Sequence, residues 1–127
     1  MKKIVINYKK PNKGHYTPGI ISNGILYISG QLSRDPDTQE IPVGGIENHM
    51  RVALNNMDRV LKAANVERSQ VIKCTIHVAD IDNWDAINSE YADFFGEHKP
   101  ARIVCQTEKL HFGCLVEIEG IAEVEEK

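Results

Sequence analysis

Leu115-Val116-Glu117-Ile118-Glu119-Gly120-Ile121-Ala122-Glu123-Val124 decides how this chain folds. Side chains on a strand alternate between the two faces of a sheet. Val116, Ile118, Gly120, Ala122 and Val124 therefore share one face, and Leu115, Glu117, Glu119, Ile121 and Glu123 share the other. The first row faces a core. The second mixes carboxylates with Leu and Ile, the composition of a face buried against another molecule with polar groups lining a crevice. The expectation is a sheet covered by helices on one face, with a closed homo-oligomer covering the other and carrying its sites between subunits.

Two segments outward from this strand carry helical periodicity. Ile46, Met50, Ala53, Leu54, Met57, Val60, Leu61 and Ala64 recur at spacings of three and four and make one apolar stripe. Glu47, Arg51, Asn55, Asp58, Arg59 and Lys62 take the opposite face, and Asn65 ends the helix in the left-handed conformation. Asp80 or Asp82 caps the second helix, with Trp84, Ile87, Tyr91, Phe94 and Phe95 on one side, Gly96 as its stop and Pro100 beyond. The other regular segments read as strands. Asn23-Gly24 joins Gly19–Ser22 to Ile25–Gly30 as a type I′ hairpin, and Val71–Val78, Ala101 to about Thr107 and the opening segment follow the same pattern. Ser33–Gly45 is a loop whose candidate for extended structure is Glu40-Ile41-Pro42. The order is three strands, helix, strand, helix, two strands. That is an α+β fold with a mixed sheet and two helices on one face.

At 127 residues the chain forms a single domain, 1–127, able to bury a core without disulfides. A net charge of −3 supplies no electrostatic footprint for nucleic acid or an anionic membrane, and Lys9, Lys10 and Lys13 make too small a basic loop to supply one. No apolar run approaches the ~20 residues of a membrane span. The apolar run at Ile4-Val5-Ile6 is too short for a secretory signal, so the expected location is the cytoplasm. Cys74, Cys105 and Cys114 read as reduced, half-buried thiols. Cys74 and His77 point to opposite faces of a strand, and no CxxC or HxxxH spacing occurs, so no metal is expected.

Arg102 opens one predicted strand and Glu117 sits in the next. A guanidinium is a permanently charged fork of donors suited to a carboxylate, and a strand glutamate nearby can hold or activate water. The pair reads as a pocket for a small organic acid that reacts with water, or equally as an ion pair bracing two neighbouring strands. Tyr16, Ser29 and Asn88 also have plain structural readings, as a packed aromatic, a strand end and a loop brace. His15, His49, His77, His98 and His111 show no pairing pattern.

His15-Tyr16-Thr17-Pro18-Gly19, Tyr27-Ile28-Ser29-Gly30-Gln31, the helix Ala86–Phe95, Pro100-Ala101-Arg102 and Val116–Ala122, in that order, resemble the Rid/YjgF family. These are reactive intermediate deaminases, once labelled translation inhibitors or L-PSP endoribonucleases. The resemblance spans nearly the whole chain. It implies a chorismate-mutase-like fold and a homotrimer whose sheets form a central barrel, with sites in the clefts between subunits. It further implies hydrolysis of 2-imino acids such as 2-iminopropanoate and 2-iminobutanoate, tautomers of the corresponding enamines, to 2-oxo acids and ammonia. No cofactor is implied. By resemblance, Arg102 holds the substrate carboxylate and Glu117 the attacking water. Tyr16, Ser29 and Asn88 would line the pocket, and backbone N–H groups near Gly30 and Val104 would complete the cradle.

Four positions depart from the family pattern. Pro18 and His49 stand where glutamine is usual, Val104 stands for a cysteine with Cys105 displaced to the other face, and His111 stands for a proline. These changes reshape the pocket mouth and leave Arg102 and Glu117 in place. A trimeric binding protein for small carboxylic acids would keep Arg102 and could dispense with Glu117. The acidic balance, and the lack of an aromatic-plus-basic pattern, count against an RNA-directed role.

Overall fold

Asn23 and Gly24 take positive φ values of 51° and 75°, as a two-residue type I′ turn requires. They join β2 (Gly19–Ser22) to β3 (Ile25–Leu32) in a computed structural model that describes residues 1–125. With β1 (Lys2–Ile4), β4 (Val71–Val78), β5 (Ala101–Gln106) and β6 (Val116–Glu123), these strands form one sheet in the order β1-β2-β3-β6-β4-β5. Every pairing is antiparallel except β4 with β5. Parallel neighbours need a crossover, and α2 (Trp84–Phe95) supplies it. The longer α1 (Ile46–Ala63) follows β3, and Asn65 takes the left-handed conformation just beyond it with φ 57°.

The core lies between the helices and one face of the sheet. Met50, Met57, Val60 and Leu61 of α1 and Ile87 of α2 pack with Leu26, Ile28, Ile76 and Ile118. Fully burying each such side chain contributes about 1.5–3 kcal/mol. The other face is bare. Tyr27 and Ile103 are 50% and 52% exposed there, interspersed with Glu119 and Lys73. The alternation read from β6 is present as expected: Val116, Ile118, Gly120 and Ala122 are buried, and Glu119 and Glu123 are exposed.

Three local expectations are corrected. Glu40-Ile41-Pro42 forms no strand. The chain turns back on itself through Asp35 N–H to Glu40 O and Gln39 N–H to Asp35 O, which leaves no neighbour for it to pair with. Asp58 is buried rather than on the polar face of α1, because Lys62 and Arg68 each approach its carboxylate at 3.0 Å. Asp80 caps a short 3-10 turn, Ile81–Asn83, through the Asp82 N–H, and α2 starts after that turn with Asn83 as its cap residue.

His49 is paired after all. It is buried on α1, and its Nδ1 accepts from the Leu115 N–H at 3.3 Å, so the ring proton sits on Nε2. The Ser33 hydroxyl then donates to the same Nδ1 at 2.7 Å. Burial lowers the His49 pKa from its ordinary 6.5. The folded chain holds this ring neutral where the unfolded chain would take a proton. That stabilisation is complete above about pH 6.5 and is lost as pH falls through the folded value. The carboxylates with resolved shifts, Asp37 and Asp58, titrate below their ordinary 3.8 and do not contribute in that window. The melting temperature should therefore drop between about pH 7 and about pH 5, and His49→Gln should flatten that part of the profile. The same slope in the variant would assign the drop to other groups.

Candidate active site

A cleft of about 990 Å³ opens beside β3 and β6. Tyr16, Ser29, Gly30 and Glu117 all line it, so four of the residues expected at a site come together. The pairing of β3 with β6 shifts register between Ile28 and Gln31, a bulge that re-aims the backbone at Ser29 and Gly30. Ser29 lies inside β3 rather than at its end. Its hydroxyl donates to Thr17 O at 2.5 Å and its N–H to Pro18 O at 3.0 Å. These bonds strap the Tyr16–Pro18 segment to the strand, and Tyr16 is 55% exposed in the single chain. Gly30 gives the Glu117 carboxylate its seat. A Cβ at position 30 would stand 2.9 Å from Oε2 and 3.0 Å from Cδ.

Arg102 lies elsewhere, beneath α2. Its Nη1 donates to Asn88 Oδ1 at 3.0 Å. Its guanidinium carbon sits 5.4 Å from the centroid of the Trp84 ring and 4.8 Å from that of Tyr91. Positions 84, 88 and 91 share one face of a helix, so a single stripe of α2 holds the cation. Trp84 and Tyr91 read as core residues in the sequence; their spacing with Asn88 was the available signal. Among the described residues no ion pair engages Arg102. Cys74, next to it in register, is fully buried, and desolvation pushes its thiol to about 11. Thiolate chemistry is unavailable to it at neutral pH.

Register fixes how the two groups relate. Arg102 aligns with Cys74, which aligns with the buried Gly120, so the arginine is on the helix face. Glu117 aligns with His77 and Leu32 and alternates with the buried Val116 and Ile118, so it is on the bare face. Strand β4 separates their strands. The two residues therefore do not brace neighbouring strands, and within one chain they do not share a pocket. Asn88 and Val104 fall with Arg102. The Val104 side chain packs on the core, while β5 is the edge strand, so backbone groups along its outer side have no strand partner. Cys105 points to the bare face, where its sulfur is 3.6 Å from His77 Nδ1, and His77 Nε2 is 4.0 Å from Glu119. Cys74 and His77 do face opposite ways. Among the described residues no three metal-ligating side chains are placed to share an ion.

The profile of the family described as endoribonuclease L-PSP matches residues 8–124. A RutC family protein of Pyrococcus horikoshii is 37% identical over 96% of this chain and 98% of its own length. A 2-iminobutanoate/2-iminopropanoate deaminase of Bos taurus is 36% identical over 96% of this chain and 90% of its own. The crystal structure of E. coli TdcF with bound serine superposes with a TM-score of 0.88 at 31% identity, covering 98% of this chain and all of that one.

The contact between Gly30 and Glu117 is testable apart from any reaction. Gly30→Ala should leave the fold intact, because the crowded atoms end a flexible side chain, but should swing the carboxylate out of its seat. A crystal structure of the variant with Glu117 unmoved would contradict the close approach.

Proposed function

The chain belongs to the endoribonuclease L-PSP family, the Rid/YjgF proteins, and on that footing we propose that it hydrolyses reactive 2-imino acids to 2-oxo acids and ammonia. The observation that carries this reading is an arginine held by neutral groups. Asn88, Trp84 and Tyr91 fix the Arg102 guanidinium without neutralising it, so its charge is available to an incoming carboxylate. A bidentate, charge-assisted pair would orient the acid. The family relatives named as 2-iminobutanoate/2-iminopropanoate deaminases act on acids of that kind.

Glu117 supplies the second half. Its carboxylate, seated on Gly30 in the cleft with Ser29 and Tyr16, would hold a water against the imine carbon and take its proton. Water adds to the C=N carbon, the nitrogen takes up the proton, and the C–N bond breaks to release ammonia and leave the 2-oxo acid. Water and imine balance the reaction, with no redox or group-transfer equivalent. Acceleration would come from orientation and from charge preorganised around a substrate that is already reactive.

Because the two halves lie on opposite faces of one sheet, the reading places Arg102 of one copy beside Glu117 of the next. Three copies would close their bare faces into a chorismate-mutase-like barrel in the cytoplasm. The exposed Tyr27, Ile72 and Ile103 support such a cover. A carboxylate-binding protein without turnover would use the Arg102 half alone; the close seat built for Glu117 favours the hydrolase.

Ammonia release from 2-iminopropanoate and 2-iminobutanoate generated in situ tests the proposal. Losing a desolvated Arg–carboxylate pair costs about 2–5 kcal/mol, so Arg102→Ala should lower kcat/KM by about 30-fold to about 5,000-fold. Glu117→Gln should lower kcat while 2-oxobutanoate still binds. Unchanged turnover in Arg102→Ala would sink the assignment.

A further inference from the structure

A cleft of about 990 Å³ lies at the upper end of the ~300–1,000 Å³ typical of small-molecule pockets. Besides Gly30 and Glu117, its walls include Arg34, and His111 and Phe112 from the turn His111–Gly113. The Arg34 guanidinium carbon stands 3.7 Å from the Phe112 ring centroid. The His111 ring stacks on Phe112 at 3.6 Å and 16°. Two groups at those heights cannot share one face of the ring, so Phe112 is sandwiched between them. Phe112 has φ 62° and ψ 14°, left-handed geometry that is strained for a non-glycine residue and persists where the surroundings hold it.

Arg34 is also pinned at its inner end, where Nε donates to Gln39 O at 3.0 Å. That leaves the Nη1/Nη2 edge of the fork. Among the described residues neither atom makes a hydrogen bond or an ion pair. The acids nearest in sequence are engaged elsewhere. Asp35 Oδ1 accepts from the N–H groups of Asp37 and Thr38, and Asp37 pairs with Arg59 at 3.2 Å. Lys10 and Lys13 add positive charge to the same cleft, whose carboxylates, Glu117 and Glu119, belong to β6. Arg34 lies two residues beyond Leu32, whose Cα is aligned with that of Glu117, and Ser33 N–H still bonds Val116 O. At ~3.3 Å per residue that is about 7 Å along the strand, within reach of a short acidic side chain.

We propose that Arg34 is a second anion fork, and that the cleft takes 2-imino acids bearing a distal carboxylate, the imines of dicarboxylic amino acids. The chemistry at the imine carbon rests on the deaminase reading; recognition of the distal carboxylate by Arg34 does not. Water adds at the same carbon, ammonia leaves, and the product is a 2-oxo diacid. A guanidinium held over a ring face and pinned at Nε loses little freedom on binding an anion and is weakly hydrated to begin with.

Calorimetric titration of the full chain with 2-oxoglutarate and 2-oxobutanoate decides the recognition claim, and ammonia release from 2-iminoglutarate and 2-iminobutanoate decides the chemistry. The diacid should bind at least about tenfold tighter, the worth of one charge-assisted fork. Arg34→Gln should erase that preference, and Arg34→Lys, should the first variant not fold, should keep only part of it. Equal binding of the two acids, or a preference that survives Arg34→Gln, overturns the proposal. A preference for the diacid without turnover of either imine would sink the deaminase reading and leave the fork standing. Turnover of 2-iminobutanoate with no diacid preference would do the reverse.

Discussion

Strand alternation places Arg102 under the helices and Glu117 on the bare face of the same sheet, and most of what this chain does follows from that separation. On the helix face the half-buried Arg102 is held by an amide and two rings. The bare face is where carboxylates and exposed apolar side chains mix. Within one chain the two halves do not share a pocket; on the proposed reading a second copy of the same fold brings them together, and the incomplete cover of the sheet supplies a physical reason for one to dock.

The five arginines divide along the same line. Arg51, Arg59 and Arg68 each meet a carboxylate, Glu90, Asp37 and Asp58, and tie helices and loops to one another. Arg68 also donates to Phe94 O and stacks on the Phe94 ring, linking the end of α1 to the end of α2. Arg102 and Arg34 meet rings and amide or carbonyl oxygens instead. A cation whose neighbours fix its position without cancelling its charge is what anion binding needs.

Much of this was legible in the sequence because it is local. Asn23-Gly24 fixed its turn through backbone preference, the stripe from Ile46 to Leu61 fixed the buried face of α1, and the alternation from Val116 to Glu123 assigned Glu117 to the bare face. What could not be read depends on which strands become neighbours. β6 inserts between β3 and β4, and no periodicity announces a long-range pairing of that kind. That insertion aligns Glu117 with His77, the parallel β4–β5 register sets Cys105 opposite His77, and the Glu119 side chain approaches the same ring at 4.0 Å. Asp58 and His49 were misread for a related reason. Their partners, Arg68, Ser33 and Leu115, come from segments that meet α1 only in the folded chain. The Arg34–Phe112 stack likewise joins loops far apart in sequence, and its left-handed phenylalanine carries no sequence signature.

The most direct test of a site shared between copies is subunit complementation. Arg102→Ala chains and Glu117→Ala chains, each inactive alone, would be mixed, exchanged and assayed for ammonia release from 2-iminobutanoate. Random assembly into rings in which each site takes one residue from either neighbour leaves about a quarter of the sites intact. Recovery to about that fraction of wild-type activity is the predicted result. Activity that stays at the level of the separate variants, in mixtures shown to have exchanged subunits, would contradict the account.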